Sequence, residues 1–220
     1  MSPRTSRHAA PDVERPGAQE WVPARASVTA LREAAPGCRG CELWEPATQV
    51  VFSTGGPGAR VVMVGEQPGD KEDLEGAPFV GPAGTLLMRA VDDAGLPRDE
   101  LYLTNAVKHF RFTPQGKRRI HQTPDLAHLV ACQPWLEAEL AAVDADVVVA
   151  MGATAARAVI GPGVKVTQQR GQVLTQEGPH GPRDGVPTVH PSSVLRARDN
   201  RQAAYDALVA DLRVVAGLLA

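Results

Sequence analysis

The stretch from Gly116 to Pro124 reads GKRRIHQTP, so Lys117, Arg118 and Arg119 stand in a row just before His121. A neutral imidazole can act as a nucleophile. Neighbouring cations disfavour its protonated form and also grip phosphates. Taken alone, the run is a solvated basic loop with a bystander histidine. Other stretches carry complementary groups. GEQPG at 65–69 sets the carboxylate of Glu66 and the amide of Gln67 between glycines that permit close approach of a ligand. PFVG at 78–81 offers Phe79 either as core or as a flat face on which a base stacks. The amide of Asn105, in LTNAVKH, has a donor and an acceptor side by side. Such a pair distinguishes the edge of uracil (O4 acceptor beside an N3–H donor) from the reversed edge of cytosine. HPSS at 190–193 supplies His190, a donor to a carbonyl that gains negative charge, and Ser192 and Ser193, which with Arg196 suit a phosphate. The G-x-G-x-x-G spacing and a Walker lysine are both absent, which argues against a dinucleotide or P-loop site.

The cysteines are three: Cys38 and Cys41 in a C-x-x-C, and Cys132 far downstream. An odd count argues against a disulfide framework. Three thiols are one ligand short of the four that hold an iron–sulfur cluster or a structural zinc. His109 and His128 are both candidates for the fourth, and the ligand types suit zinc as well as iron–sulfur.

These groups need elements to position them. ARVVMVGEQPG predicts a buried strand that runs into a loop. In AGTLLMRAVDDAG, Leu86, Leu87, Ala90, Val91 and Ala94 share a helical face, and Gly95 and Pro97 supply the stop. ELYLTNAVKH and ADVVVAMG predict strands, as do GQVLT and GVPTVHPSS; ATAARAVIG predicts a short helix. Thr123-Pro124-Asp125 reads as an N-cap, a first-turn proline and a dipole-favoured acid, opening a helix through Cys132 that kinks near Pro134. GPHGPRDG reads as a flexible turn, and an amphipathic helix starting near Asn200 closes the chain. Apolar strands alternating with helices predict an α/β fold of three layers, α/β/α, around a mostly parallel sheet. The polar stretches after the strands then converge on the carboxyl edge, where such sheets bind ligands.

The 220 residues suit one domain over 26–220, preceded by a flexible N-terminal tail over 1–25. A net charge of −2 excludes a uniformly basic nucleic-acid coat but leaves room for a local basic site. The N-terminus has no apolar stretch of the kind a secretory signal carries, and no run is long enough to span a bilayer. A cytoplasmic monomer is the expectation.

Each motif is weak alone, but their order is specific: C-x-x-C, GEQPG, PFVG, LTNAVK, a helical cysteine, MGATAA, then HPSS with an arginine. From Cys38 to the C-terminus the chain resembles the uracil-DNA glycosylase superfamily, in particular its iron–sulfur family-four enzymes. KRRIH resembles the insertion of the UdgX branch. The resemblance implies excision of uracil from DNA, with single-stranded DNA the expected partner. It places Glu66 and Gln67 in the first catalytic motif, Phe79 at base stacking, Asn105 at uracil reading and His190 in the HPS motif. It implies a 4Fe-4S cluster on Cys38, Cys41, His109 and Cys132, with His109 standing where family four carries a cysteine. His121 would be the residue that captures C1′ of the abasic sugar, with Lys117, Arg118 and Arg119 holding DNA and keeping the ring neutral. The competing readings are an ordinary turnover glycosylase and a non-catalytic uracil-DNA-binding protein with a metal centre.

Overall fold

The computed structural model describes residues 15–178 and 181–220. Its strands are β1 (Ser53–Thr54), β2 (Val61–Gly65), β3 (Leu101–Asn105), β4 (Phe112–Gln115), β5 (Arg118–His121), β6 (Val147–Met151), β7 (Leu174–Gly178) and β8 (Gly181–Thr188). Six of them form one sheet in the order β1-β3-β2-β6-β8-β7. The four central strands, β3, β2, β6 and β8, are parallel, and only the edge strands β1 and β7 run antiparallel.

Helices cover both faces: α1 (Val28–Ala34), α2 (Asp70–Glu75), α3 (Pro82–Ala94), α4 (Leu126–Val143), α5 (Ala153–Val159), α6 (Val166–Gln169), α7 (Pro191–Arg196) and α8 (Arg201–Leu218). Every residue of β2 and β6 is buried, as continuous apolar strands between two helical layers require. The pleat sorts them. Val62, Val64, Val148 and Ala150 enter the core with α1, α4 and α5, while Val61, Met63, Val147 and Val149 pack with α3 and α8. The expected three-layer α/β/α architecture is therefore the one observed. Since β2, β3, β6 and β8 point the same way, the residues that follow them gather at one edge.

Four local expectations are corrected. KRRIH is no loop: β4 and β5 form an antiparallel hairpin pairing Phe112 with His121 and Gln115 with Arg118, and Gly116 turns it at φ 59°. The N-cap of α4 is Asp125 rather than Thr123. Its carboxylate accepts from the His128 backbone N–H, while the His128 ring accepts from the Asp125 N–H, a reciprocal cap that fixes the start two residues later. Much of GPHGPRDG belongs to the pairing of β7 with β8, which reaches Gly178 and Gly181; residues 179 and 180 lie outside the described residues. Finally, packing begins before residue 26. Residues 1–14 of the expected tail lie outside the described residues, but Ala18 is buried and its N–H donates to the Ala131 carbonyl. The Gly17 N–H likewise donates to Gly40, where an added Cβ would lie 2.8 Å from the Ala18 nitrogen.

Candidate active site

The carboxyl edge assembles the predicted groups around Gly65, the last residue of β2. A Cβ there would meet Asn105 Oδ1 at 2.3 Å and Phe79 Cζ at 2.8 Å, so glycine lets the amide and the ring approach the same strand end. Phe79 holds a left-handed φ of 58°, a strained conformation for an aromatic residue. Two contacts over-determine it. Gly84 lies so close that an added Cβ would fall 1.6 Å from the Phe79 carbonyl oxygen. Glu72 of α2 accepts from the N–H groups of Gly69 and Gly81, tying the loop down on both sides. The Phe79 ring lies at 30° to the His190 ring with centroids 6.3 Å apart.

His190 caps α7, and its surroundings define its proton. The Ser192 N–H donates to His190 Nδ1 at 3.2 Å, so a neutral ring carries its hydrogen on Nε2. Ser192 Oγ also lies 2.8 Å from Nδ1 and accepts from Arg196, while Ser193 Oγ donates to the His190 carbonyl. The two serines and the arginine thus orient the imidazole. Burial, with Arg196 and His121 adding to it, pushes the His190 pKa down to about 4.

Glu66 and Gln67 follow β2 and divide their duties. Glu66 accepts from Thr154 at the start of α5, a partner that no motif singled out. Gln67 is buried: its Oε1 accepts from the Arg111 N–H, and its Nε2 donates to the carbonyls of Arg111 and Gln122. That pattern fixes the amide's orientation and clamps the base of the hairpin. It also puts an amide donor 2.9 Å from His121 Nε2, which lies 3.8 Å from Glu66 Oε1. The pKa of His121 is lowered chiefly by burial, against the Glu66 charge, with Arg196 helping.

Of the hairpin's own cations, Arg119 is engaged within the protein. Arg119 donates to Asp70 Oδ1 at 2.6 Å, to the buried Asp73 Oδ2 at 2.5 Å and to Thr48 Oγ1 at 3.1 Å. Its guanidinium also stacks over Phe110 and Phe112. It is an anchor for the hairpin, committed to carboxylates. Lys117 and Arg118 remain exposed at the tip. The acidic run DKEDLE of α2 was the signal that could have found these partners.

The three cysteines, all free, lie in the core shared with α1 and α4, and they and His109 are buried. Burial raises Cys41 to about 11 and Cys132 to about 12, and charge on neighbouring sulfurs adds to each. Backbone groups of Leu43 and Lys108 act in the other direction, and the Trp135 indole donates to Cys38 Sγ at 3.2 Å. Buried sulfurs that would repel one another as thiolates, with dipoles that favour that form, fit a positively charged centre. Among the described residues, however, no group of three or more His, Cys, Asp or Glu side chains is gathered as one metal ion would need. Of the two histidine candidates, His128 is spent: its Nε2 lies 2.9 Å from Glu42 Oε1, and its Nδ1 caps α4. Burial lowers His109 to about 4, leaving a neutral imidazole.

A strained aromatic, a buried amide, a neutral imidazole donor and a carboxylate at one sheet edge define a site for a planar, hydrogen-bonding ring. The comparison with known proteins agrees. The sequence profile of the uracil DNA glycosylase superfamily matches residues 52–213, and the chain belongs to that superfamily. It is 38% identical to the type-4 uracil-DNA glycosylase of Thermotoga maritima, over 74% of this chain and 80% of that one. With the type-4 enzyme of Sulfurisphaera tokodaii it shares 31% identity, over 77% and 76%.

Proposed function

We propose that this chain excises uracil from DNA and is left covalently joined to the product through His121. The carrying observation is the position of His121 Nε2, 3.8 Å from Glu66 Oε1 and 2.9 Å from Gln67 Nε2 at the sheet edge that carries the ring-binding groups. Uracil enters between Phe79 and the Asn105 amide after leaving the base stack. As the C1′–N1 bond breaks, its electron pair passes to uracil, whose O2 accepts from the neutral His190 Nε2–H. C1′ becomes oxocarbenium-like, and the Glu66 carboxylate stabilises that charge. Nε2 of His121 then forms the bond to C1′ ahead of water, and the Nδ1 proton leaves through the half-exposed side of the ring. Glu66 faces the attacking nitrogen, so it serves the cation and does not receive the Nδ1 proton. Loss of that proton leaves a neutral N-alkyl imidazole, a poor leaving group.

Cys38, Cys41, His109 and Cys132 are proposed to hold a 4Fe-4S cluster, which organises the polypeptide around it when bound. The type-4 relatives and the buried, charge-coupled thiols support this.

The test is a denaturing gel with a uracil-containing single-stranded oligonucleotide, followed by peptide mass spectrometry. A shifted band with the sugar on His121, abolished in His121→Ser while free uracil still appears, is expected. Uracil release with no shifted band would leave an ordinary turnover glycosylase. Binding without release would leave a non-catalytic sensor.

A further inference from the structure

A groove of about 740 Å³ runs beside the candidate site, between α2 and α3 on one wall and α7 and α8 on the other. It is continuous with that site at both walls. Val80, Gly81 and Pro82 belong to the loop that carries Phe79, and Val194 and Leu195 belong to the helix that His190 opens. Its floor is apolar, and its rim carries Lys71, Arg89 and Arg201 with no carboxylate among the lining residues. Among the described residues Lys71 and Arg201 enter no salt bridge and are exposed. Arg89 is 74% exposed, with only a 3.9 Å approach to Asp93 and a position 5.1 Å above the Tyr205 ring. A pair that long and exposed is worth little and is open to exchange for another anion.

We infer that this groove carries the DNA strand on one side of the extruded uridine, with backbone phosphates on Lys71, Arg89 and Arg201 and a neighbouring base against the apolar floor. The inference rests on the glycosylase reading of the adjoining site. A cationic rim over an apolar floor is the combination that single strands use, charge for the backbone and contact for the bases. The hairpin tip with Lys117 and Arg118 is a separate part of the surface, so these three cations add contacts that the sequence motifs did not indicate.

The test uses fluorescence anisotropy with single-stranded oligonucleotides containing an uncleavable 2′-fluoro-deoxyuridine. The wild-type chain is compared with the Lys71→Ala/Arg89→Ala/Arg201→Ala variant across a salt series. On single strands each phosphate contact contributes about 0.7 to the slope of log affinity against log salt. Three contacts predict a slope shallower by about 2 in the variant. The deficit should appear with an oligonucleotide truncated on one side of the uridine and vanish with the one truncated on the other. Uracil release from a substrate truncated on the groove side of the uridine should stay at the wild-type rate. An unchanged slope, or a loss that ignores which flank is present, overturns the assignment. A wild-type chain that binds with the expected slope but releases no uracil from a normal uridine substrate overturns the glycosylase reading and leaves the groove assigned.

Discussion

Arg119→Met separates anchoring from chemistry. The side chain never faces the ring-binding groups, so any effect on His121 must pass through the hairpin. Its exposed contact with Asp70, which is half open to solvent, is worth at most about 1 kcal/mol. The contact with Asp73 is of another kind, because that carboxylate is fully buried and keeps only the Thr48 N–H once the guanidinium has gone. Stranding a buried charge costs roughly 3–5 kcal/mol, and relief by local detachment of the hairpin limits the expressed cost to about 3 kcal/mol. At 1.4 kcal/mol per tenfold change, docking of His121 falls about 100-fold. Single-turnover quench on denaturing gels should therefore show adduct formation slowed by roughly that factor, while uracil release, which relies on Asn105, Phe79 and His190, changes much less. Arg119→Lys should recover little, since one ammonium cannot span two carboxylates and a hydroxyl. Pairing Arg119→Met with Asp73→Asn should restore part of the loss. Adduct formation at the wild-type rate in Arg119→Met would refute the anchoring argument. So would equal loss of release and capture, because that pattern describes general unfolding.

Adduct formation at pH 6.5, where a free imidazole is half protonated, should keep more than half of its plateau rate, because burial lowers the His121 pKa. The sign follows from the lone pair: protonation removes the nucleophile, so loss occurs only on the acid side of the lowered pKa, and a rate already halved at pH 6.5 would contradict the burial effect. Lys108→Met should destabilise the chain by about 3–5 kcal/mol in urea unfolding, because Lys108 and Glu139 form an ion pair at 1% and 0% exposure. Adding Glu139→Leu should recover most of that loss, and a double variant no more stable than the single one would show that the pair is not the cause. The same lysine donates to the backbone carbonyl of Asn105 at 2.7 Å, so uracil affinity should fall in Lys108→Met and stay low in the double variant, which still lacks that donor.

The sheet was legible because β2 and β6 are continuous apolar runs, a pattern that only a two-sided layer satisfies. The site edge was legible for the same reason, since parallel strands bring Glu66, Asn105 and His190 to one side wherever the loops go. The hairpin was not. Its strands are four residues long, mostly exposed, and interrupted by Pro114, so neither burial nor alternation marks them. The start of α4 was misplaced because Thr123-Pro124 has the chemistry of a cap, and only the three-dimensional reciprocity of Asp125 with His128 decides between them. Positions such as Gly65 and Gly84 carry their meaning in distances to Phe79 and Asn105, which no local pattern encodes.

The basic run beside His121 shows why a charge count along the chain misassigns electrostatics. Three cations within four residues of an imidazole look like the source of its neutrality, but only Arg119 shares a strand face with His121, and its guanidinium is committed to Asp70 and Asp73. Arg119 turns to α2, Lys117 and Arg118 reach the tip, and the cation that acts on the ring is Arg196, which lies 75 positions away and also orients His190 through Ser192. One arginine from α7 thus bears on both imidazoles, the donor toward the departing base and the nucleophile toward the sugar. Removing its charge should shift both histidines upward together, whereas removing Lys117 or Arg118 should leave both where they are. NMR titration of labelled imidazoles reads this directly, and a shift of His121 in Lys117→Ala or Arg118→Ala without one in Arg196→Ala would return the effect to the hairpin.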